Sequence, residues 1–272
     1  MRRIIIWTLF LWLGMLMSFI RPFTFGENGS GNSNSNKSAA GFYTGFTSET
    51  QPSGVLVLAI FGIDNIGSGT DGDKGDITAV TDDWGHTFSK AIEFSNVQTG
   101  AASGATVSIW YCLITQAYLA STGITASFNG GTNVTAKTFL YHAFTVAPGN
   151  TIQVAGTTTL AGDGIDPANI TLSGVASQEY LWIWACALEA PFTGATIPAG
   201  WTSLVELNTF NTGTTGAGAA SNMELLCGYQ IATATSKSAN VASGTTGDHA
   251  QVMVAFREIT PASPTRRVYR IN

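Results

Sequence analysis

From residue 41 to residue 259 the chain repeats one pattern: a short apolar or alternating run, then a cluster of Gly, Asn, Asp, Ser or Thr. No stretch here keeps a 3.6-residue apolar period over three helical turns, so strands and not helices are expected. The runs predict strands over 41–47, 54–64, 77–81, 87–94, 105–115, 123–128, 133–146, 169–173, 179–189, 201–207, 222–232, 238–243 and 250–259. Runs 54–64 and 179–189 are apolar on both faces, which suits central strands. Run 87–94 alternates, so one of its faces is expected to meet water. Asn129-Gly130-Gly131 between two runs reads as a hairpin turn. Many short strands joined by turns predict a large antiparallel β-sandwich over residues 41–260. Hydrophobic residues make up 44% of the chain and aromatics 11%, enough for a core.

The two halves echo each other. "GVLVLAIFGID" at 54 resembles "EYLWIWACALE" at 179, "WYCLIT" at 110 resembles "GYQIAT" at 228, and "YHAFTV" at 141 resembles "VMVAFREI" at 252. "DDWGHTF" at 82 and "PAGWTSL" at 198 each lead into a strand. The offset falls from about 125 to about 112 residues, so the echo needs gaps. It predicts two similar β-units packed into one sandwich, each covering the other's apolar face.

The ends differ from the body. Met1-Arg2-Arg3 precedes an uncharged apolar run, residues 4–20, closed by Arg21 and Pro22. Residues 1–25 are expected to form a hydrophobic helix. A cleaved signal, a membrane anchor and an assembly helix all suit it, and membrane contact would run through 4–20. Residues 26–40, "GENGSGNSNSNKSAA", read as a flexible linker. Residues 261–272, "PASPTRRVYRIN", read as a basic C-terminal arm, with Arg266, Arg267 and Arg270 as assembly contacts. Charge follows the same division: residues 41–259 hold five basic and sixteen acidic side chains. A body this acidic repels phosphate backbones, so nucleic acid is not an expected partner.

Two loops carry the side chains from which chemistry could be built. "DNIGSGTDGDKGD", residues 64–76, presents Asp71, Asp73 and Asp76 on a Gly-rich loop, hard oxygen donors that would suit Ca²⁺. It departs from the EF-hand pattern, with Gly75 where a ligand belongs and Asp76 where Gly belongs. The second loop is Asp82-Asp83-Trp84-Gly85-His86. As a hairpin turn between strands 77–81 and 87–94 it would make Gly85 the sensitive position and leave Asp83 and His86 nearly silent. Phe88, Ile92 and Phe94 would then share one face. Trp84 either covers the end of the sandwich or stands exposed; with Trp201 it is the expected glycan platform. No GxSxG, HExxH, P-loop or dinucleotide fingerprint occurs. No catalytic residue is assigned and no enzymatic activity is expected. Cys112, Cys186 and Cys227 lie in apolar runs and read as buried free thiols.

A lead hydrophobic strand, then "ITAVTDDWGHTF", "SIWYCLIT", "PAGWT", "GYQIAT" and "AQVMVAFREI", resembles jelly-roll-like sandwiches common among phage virion and tail genes and bacterial surface proteins. The resemblance spans about residues 53–259, and its motifs are structural. The commonest turn there is closer to "TDSAGNTY", so Trp84 and His86 depart from it. It implies a virion or cell-surface structural role, through self-association into a homo-oligomer or attachment to a scaffold protein. It transfers no catalytic residue and implies no cofactor beyond the calcium the acidic loop would suit. The alternatives are a surface-glycan-binding module and, third, a secreted hydrolase.

Overall fold

The computed structural model describes residues 26–27, 32–36, 40–47, 49–64, 69–96, 104–131, 134, 136–165, 167–189, 196–208, 223–241 and 247–261. The fold there is all-β and antiparallel. The strands are β1 (Gly26–Glu27), β2 (Asn32–Asn36), β3 (Phe42–Phe46), β4 (Leu56–Asp64), β5 (Ile77–Asp82), β6 (Ser89–Ser95), β7 (Ala105–Leu113), β8 (Gly123–Phe128), β9 (Lys137–Thr145), β10 (Thr151–Ile165), β11 (Ile170–Glu189), β12 (Thr202–Asn208), β13 (Met223–Ala239) and β14 (Gly247–Ile259). They form three sheets. The first large sheet has the order β1-β9-β4-β7-β6, with β2 also on β9; the second runs β10-β14-β11-β13-β12; the small sheet runs β3-β8-β5.

The sheets are held as layers by side-chain alternation. In β4, Leu56, Leu58 and Ile60 face the second large sheet, where they meet Leu181, Ile183, Leu225, Val252 and Phe256. Val57, Ala59 and Phe61 point the other way, onto Val80, Ile124 and Ala126 of the small sheet. The first large sheet is therefore the middle layer, which explains why run 54–64 is apolar on both faces. β11 does the same for the second sheet. Its Trp182, Trp184 and Cys186 face outward, where Ile170, Leu172 and Ala239 cover them. Those covering residues belong to the distal end of the β11–β13 pair. The register breaks between Ser173 and Gln178, with Gly174 at φ 82°, and the chain folds back beyond it.

The two large sheets share one connectivity. Counting β2, β4, β6, β7, β9 and then β10, β11, β12, β13, β14, the first strand of each set pairs the fifth, the fifth the second, the second the fourth and the fourth the third. Register matches too. Leu56 stands opposite Phe144 and Leu113; Leu181 stands opposite Phe256 and Ile231. β6 carries an extra residue, Ala91, between Lys90 and Ile92; β12 carries one, Leu204, between Ser203 and Val205. Both extra residues pack against the same core. The sheets stack in opposite order, with β10 over β6 and β12 over β9 and β2.

Several sequence expectations need correction. β10 was absent from them; the run "TIQVAGTTTLAGDGI" lacks an apolar alternation and is ordered by pairing with β14. Runs 169–173 and 179–189 are one strand; of the strand expected at 238–243, Ser238 and Ala239 are the end of β13, and residues 242–243 lie outside the described residues. The segment read as a linker contains β1 and β2, both paired with β9. Asn129-Gly130-Gly131 is a short 3₁₀ turn with Gly130 at φ 61°; it joins strands of two different sheets and makes no hairpin. Residues 1–25 and Arg266, Arg267 and Arg270 lie outside the described residues.

Candidate functional site

The Asp82–His86 loop is also a crossing between sheets. β5 lies in the small sheet and β6 in the first large sheet. Only the first step is hairpin-like: Thr81 bridges Thr87, and the Phe88 N–H donates to the Val80 carbonyl at 3.0 Å. The strands then separate. The hairpin expectation fails because each strand finds a better partner, β8 for one and β7 for the other. Ala91 also shifts the side-chain parity. Phe88 therefore faces the small-sheet core while Ile92 and Phe94 pack against the large one.

Asp82 holds the corner. Its side chain is fully buried. Oδ1 accepts the backbone N–H groups of Trp84 (3.0 Å) and His86 (2.9 Å); Oδ2 accepts His86 Nδ1 (2.7 Å) and the Tyr118 hydroxyl (2.5 Å). His86 Nε2 lies 3.1 Å from the Thr115 hydroxyl and accepts the Thr115 backbone N–H at 3.1 Å. This is a carboxylate–imidazole–hydroxyl line, the order that activates nucleophiles in hydrolases. Here the one in-plane lone pair of Nε2 is already engaged by an amide, so it is a poor acceptor for the hydroxyl proton. The line works as a clip between the corner and the end of β7. Asp83 makes a second clip: its N–H donates to the Gly123 carbonyl and its carboxylate accepts the Gly123 N–H at 2.6 Å. Asp83 and His86 thus each bond a segment outside the turn, which argues against substitutions there being silent. Gly85 does sit at φ 80°, with open space where a Cβ would go. Gly85→Ala should cost about 1 kcal/mol from backbone strain. His86→Ala, which removes bonds to two segments, should cost about 1–2 kcal/mol in urea unfolding. A His86→Ala protein as stable as wild type would contradict the clip.

Trp84 does not cover the end of the sandwich: it is 44% exposed, with its indole N–H 3.4 Å from the Thr122 hydroxyl. It borders the outer face of the small sheet. Phe42 and Phe46 of β3 are 58% and 50% exposed on that face, and Thr44 bonds Thr125 between them at 2.7 Å. Leu119, 58% exposed, lies beside Thr122 and Thr47 at the same end. Among the described residues these four are the exposed large apolar side chains. Trp201, the other expected platform, is buried: its indole N–H donates to the Ser238 carbonyl at 3.0 Å, under the folded-back end of β13.

The acidic loop is not assembled as a ligand set. Asp71 is exposed. Asp73 accepts Lys90 Nζ at 2.9 Å and the Gly75 N–H at 3.0 Å. Asp76 turns inward and accepts the hydroxyls of Ser95 and Thr106. Among the described residues no group of three His, Cys, Asp or Glu side chains is placed to hold an ion. Glu93, assigned to the outer side by simple alternation, is buried and accepts the N–H groups of Asp76 and Ile77. Burial pushes its carboxyl up to about 7. The thiols are free: Cys186 and Cys227 are buried, Cys112 half-buried. His142 and His249 are buried in strands.

A second buried acid was not legible as such. Glu189, at the end of β11, accepts the Gly104 N–H through Oε2 at 2.6 Å and lies beside the Asp248 side chain. Burial, then the neighbouring Asp64 and Asp248 carboxylates, raises its carboxyl to about 7. Its folded state therefore holds a proton that the unfolded chain releases near 4.5. That contribution is complete below about pH 4.5 and lost as pH rises through about 7. Glu189→Gln should remove about 2–3 kcal/mol of this dependence, seen as a flatter melting temperature between about pH 5 and 7. Equal slopes for the two proteins would rule it out.

No protein-family profile matches the chain, and no curated protein or solved structure matches it. What the fold and the site define is a class: an all-β, multilayered antiparallel protein with a bonded corner and an aromatic outer face.

Proposed function

We propose that the chain is a non-enzymatic structural subunit of a virion or cell-surface assembly, a jelly-roll-like sandwich that works by contact between copies. The observation that carries this is the set of exposed apolar side chains along the small sheet: Phe42 and Phe46 on its outer face, and Trp84 and Leu119 beside Thr122 at one end of it. Together they expose roughly 400 Å², taking 150–250 Å² for a whole large side chain. Apolar patches of that size are often functional. Strand order supports the jelly-roll reading. Of the eight strands β2 to β9, the first, eighth, third, sixth and fifth are neighbours in one sheet, and the second, seventh and fourth in the facing one. Two interlocked Greek keys, a fold used by capsid proteins and lectins, differ from this in the place of the fifth strand, which they set beside the fourth. The step from fold to role is an analogy.

The test is solution mass by light scattering for wild type and for Phe42→Ser/Phe46→Ser. Wild type should exceed the 28.5 kDa of one chain, and the variant should lose mass with unchanged far-UV dichroism. A variant that keeps the wild-type mass sinks the reading. A second reading rests on Trp84, whose exposed indole would stack a sugar ring. Retention on immobilised polysaccharide that Trp84→Ala abolishes would favour that reading.

A further inference from the structure

We propose that the free edge of β10 pairs antiparallel with the same strand of a second copy, joining two second-sheets into one continuous sheet. β10 spans 15 residues and, among the described residues, stands at the end of its sheet and is hydrogen-bonded along one side, to β14. Natural proteins blunt such edges with charges, prolines or very short strands. Among the described residues the other edges are shorter or blunted: β6 carries Lys90, β12 has seven residues, β2 and β3 have five each, and β5 is closed by the Thr81–Thr87 bridge. Residues 151–162 of β10, "TIQVAGTTTLAG", contain no charge and no proline. Register shifts at Val154/Gly156 and Gly162/Ile165 leave a regular run between them, with Thr157 and Thr159 exposed.

The occupant follows from self-complementarity. Residues 41–259 carry sixteen acidic and five basic side chains, so the bodies of two copies carry net charge of one sign and repel at long range. The uncharged β10 run offers no such repulsion to itself. Pairing centred on Thr158, the midpoint of the strand, sets Thr157 against Thr159 of a second copy, a favourable cross-strand pair. This surface is separate from the outer face of the small sheet, so the two can fail separately.

The experiment is light scattering of Phe42→Ser/Phe46→Ser at about 100 μM, with and without Thr157→Lys/Thr159→Lys. The background should show twice 28.5 kDa, and the two lysines, facing their own copies, should return it to 28.5 kDa. A background already at one chain's mass, or a mass the lysines leave unchanged, overturns the edge pairing; neither result touches the outer-face reading. If the lysine variant does not fold, wild-type hydrogen exchange decides. The β10 amides should exchange more slowly as concentration rises, and exchange that ignores concentration also overturns the proposal.

Discussion

Asp82→Ala should cost about 3–5 kcal/mol, a large share of a typical domain's ~5–15 kcal/mol margin. The carboxylate accepts four hydrogen bonds from a fully buried position. Its loss leaves the buried Tyr118 hydroxyl and two backbone N–H groups without an acceptor, each worth about 1–3 kcal/mol when stranded from water. Partial access for water at the corner keeps the sum below the simple total. The damage should spread to the Thr115–Leu119 segment, because Tyr118 and His86 both tie it to Asp82. Asp82→Asn keeps one acceptor oxygen and should recover part of the loss. Urea unfolding measures both. An Asp82→Ala protein within about 1 kcal/mol of wild type would mean that the corner is held by backbone bonds alone.

Gly45→Ala should be the costliest of the glycine changes, at about 3 kcal/mol. Gly45 sits in β3 over the ring of Phe139. An added Cβ would lie 2.0 Å from Cδ1 and 2.3 Å from Cε1 of that ring. Phe139 has no room to retreat: it is fully buried, 5.1 Å from the Phe61 ring and 6.4 Å from Tyr43, centroid to centroid. Either the small sheet lifts off the first large sheet or the Phe139 rotamer breaks. Phe139→Leu should destabilise alone, yet in combination with Gly45→Ala it should cost less than the sum, because the smaller side chain vacates the space. Strict additivity of the two changes would show that β3 and β9 do not meet as described.

Both sites show where sequence reading stopped. Asp82 reads locally as an ordinary turn aspartate, and Gly45 reads as a weak spot in the strand "FYTGF". Neither Tyr118 nor Phe139 is near them in the chain. Periodicity located β4, β7, β8, β9 and β14 because their apolar residues recur every second position or continuously, and that pattern is set by the strand's own geometry. The echo between the halves was legible for the same reason, and the matched registers of β4 and β11 are its counterpart in space.

By itself, then, the sequence determined that the body is antiparallel β, which runs are central, and that positions such as Gly85 and Gly130 turn the chain. The tertiary structure decided which sheet each strand joins. "DDWGH" and "NGG" carry turn chemistry, and a two-residue contact at the corner looks the same whether a hairpin or a change of sheet follows. The outcome depends on β7, β8 and β9, far along the chain, competing for the same edges. It also decided which tryptophan is wet. Trp84 and Trp201 sit in similar local sequence, but the folded-back end of β13 covers only Trp201. And it decided that Thr151–Ile165 is a strand, since a run of Thr, Gly and Ala has little local preference and takes its order from the β14 edge beside it.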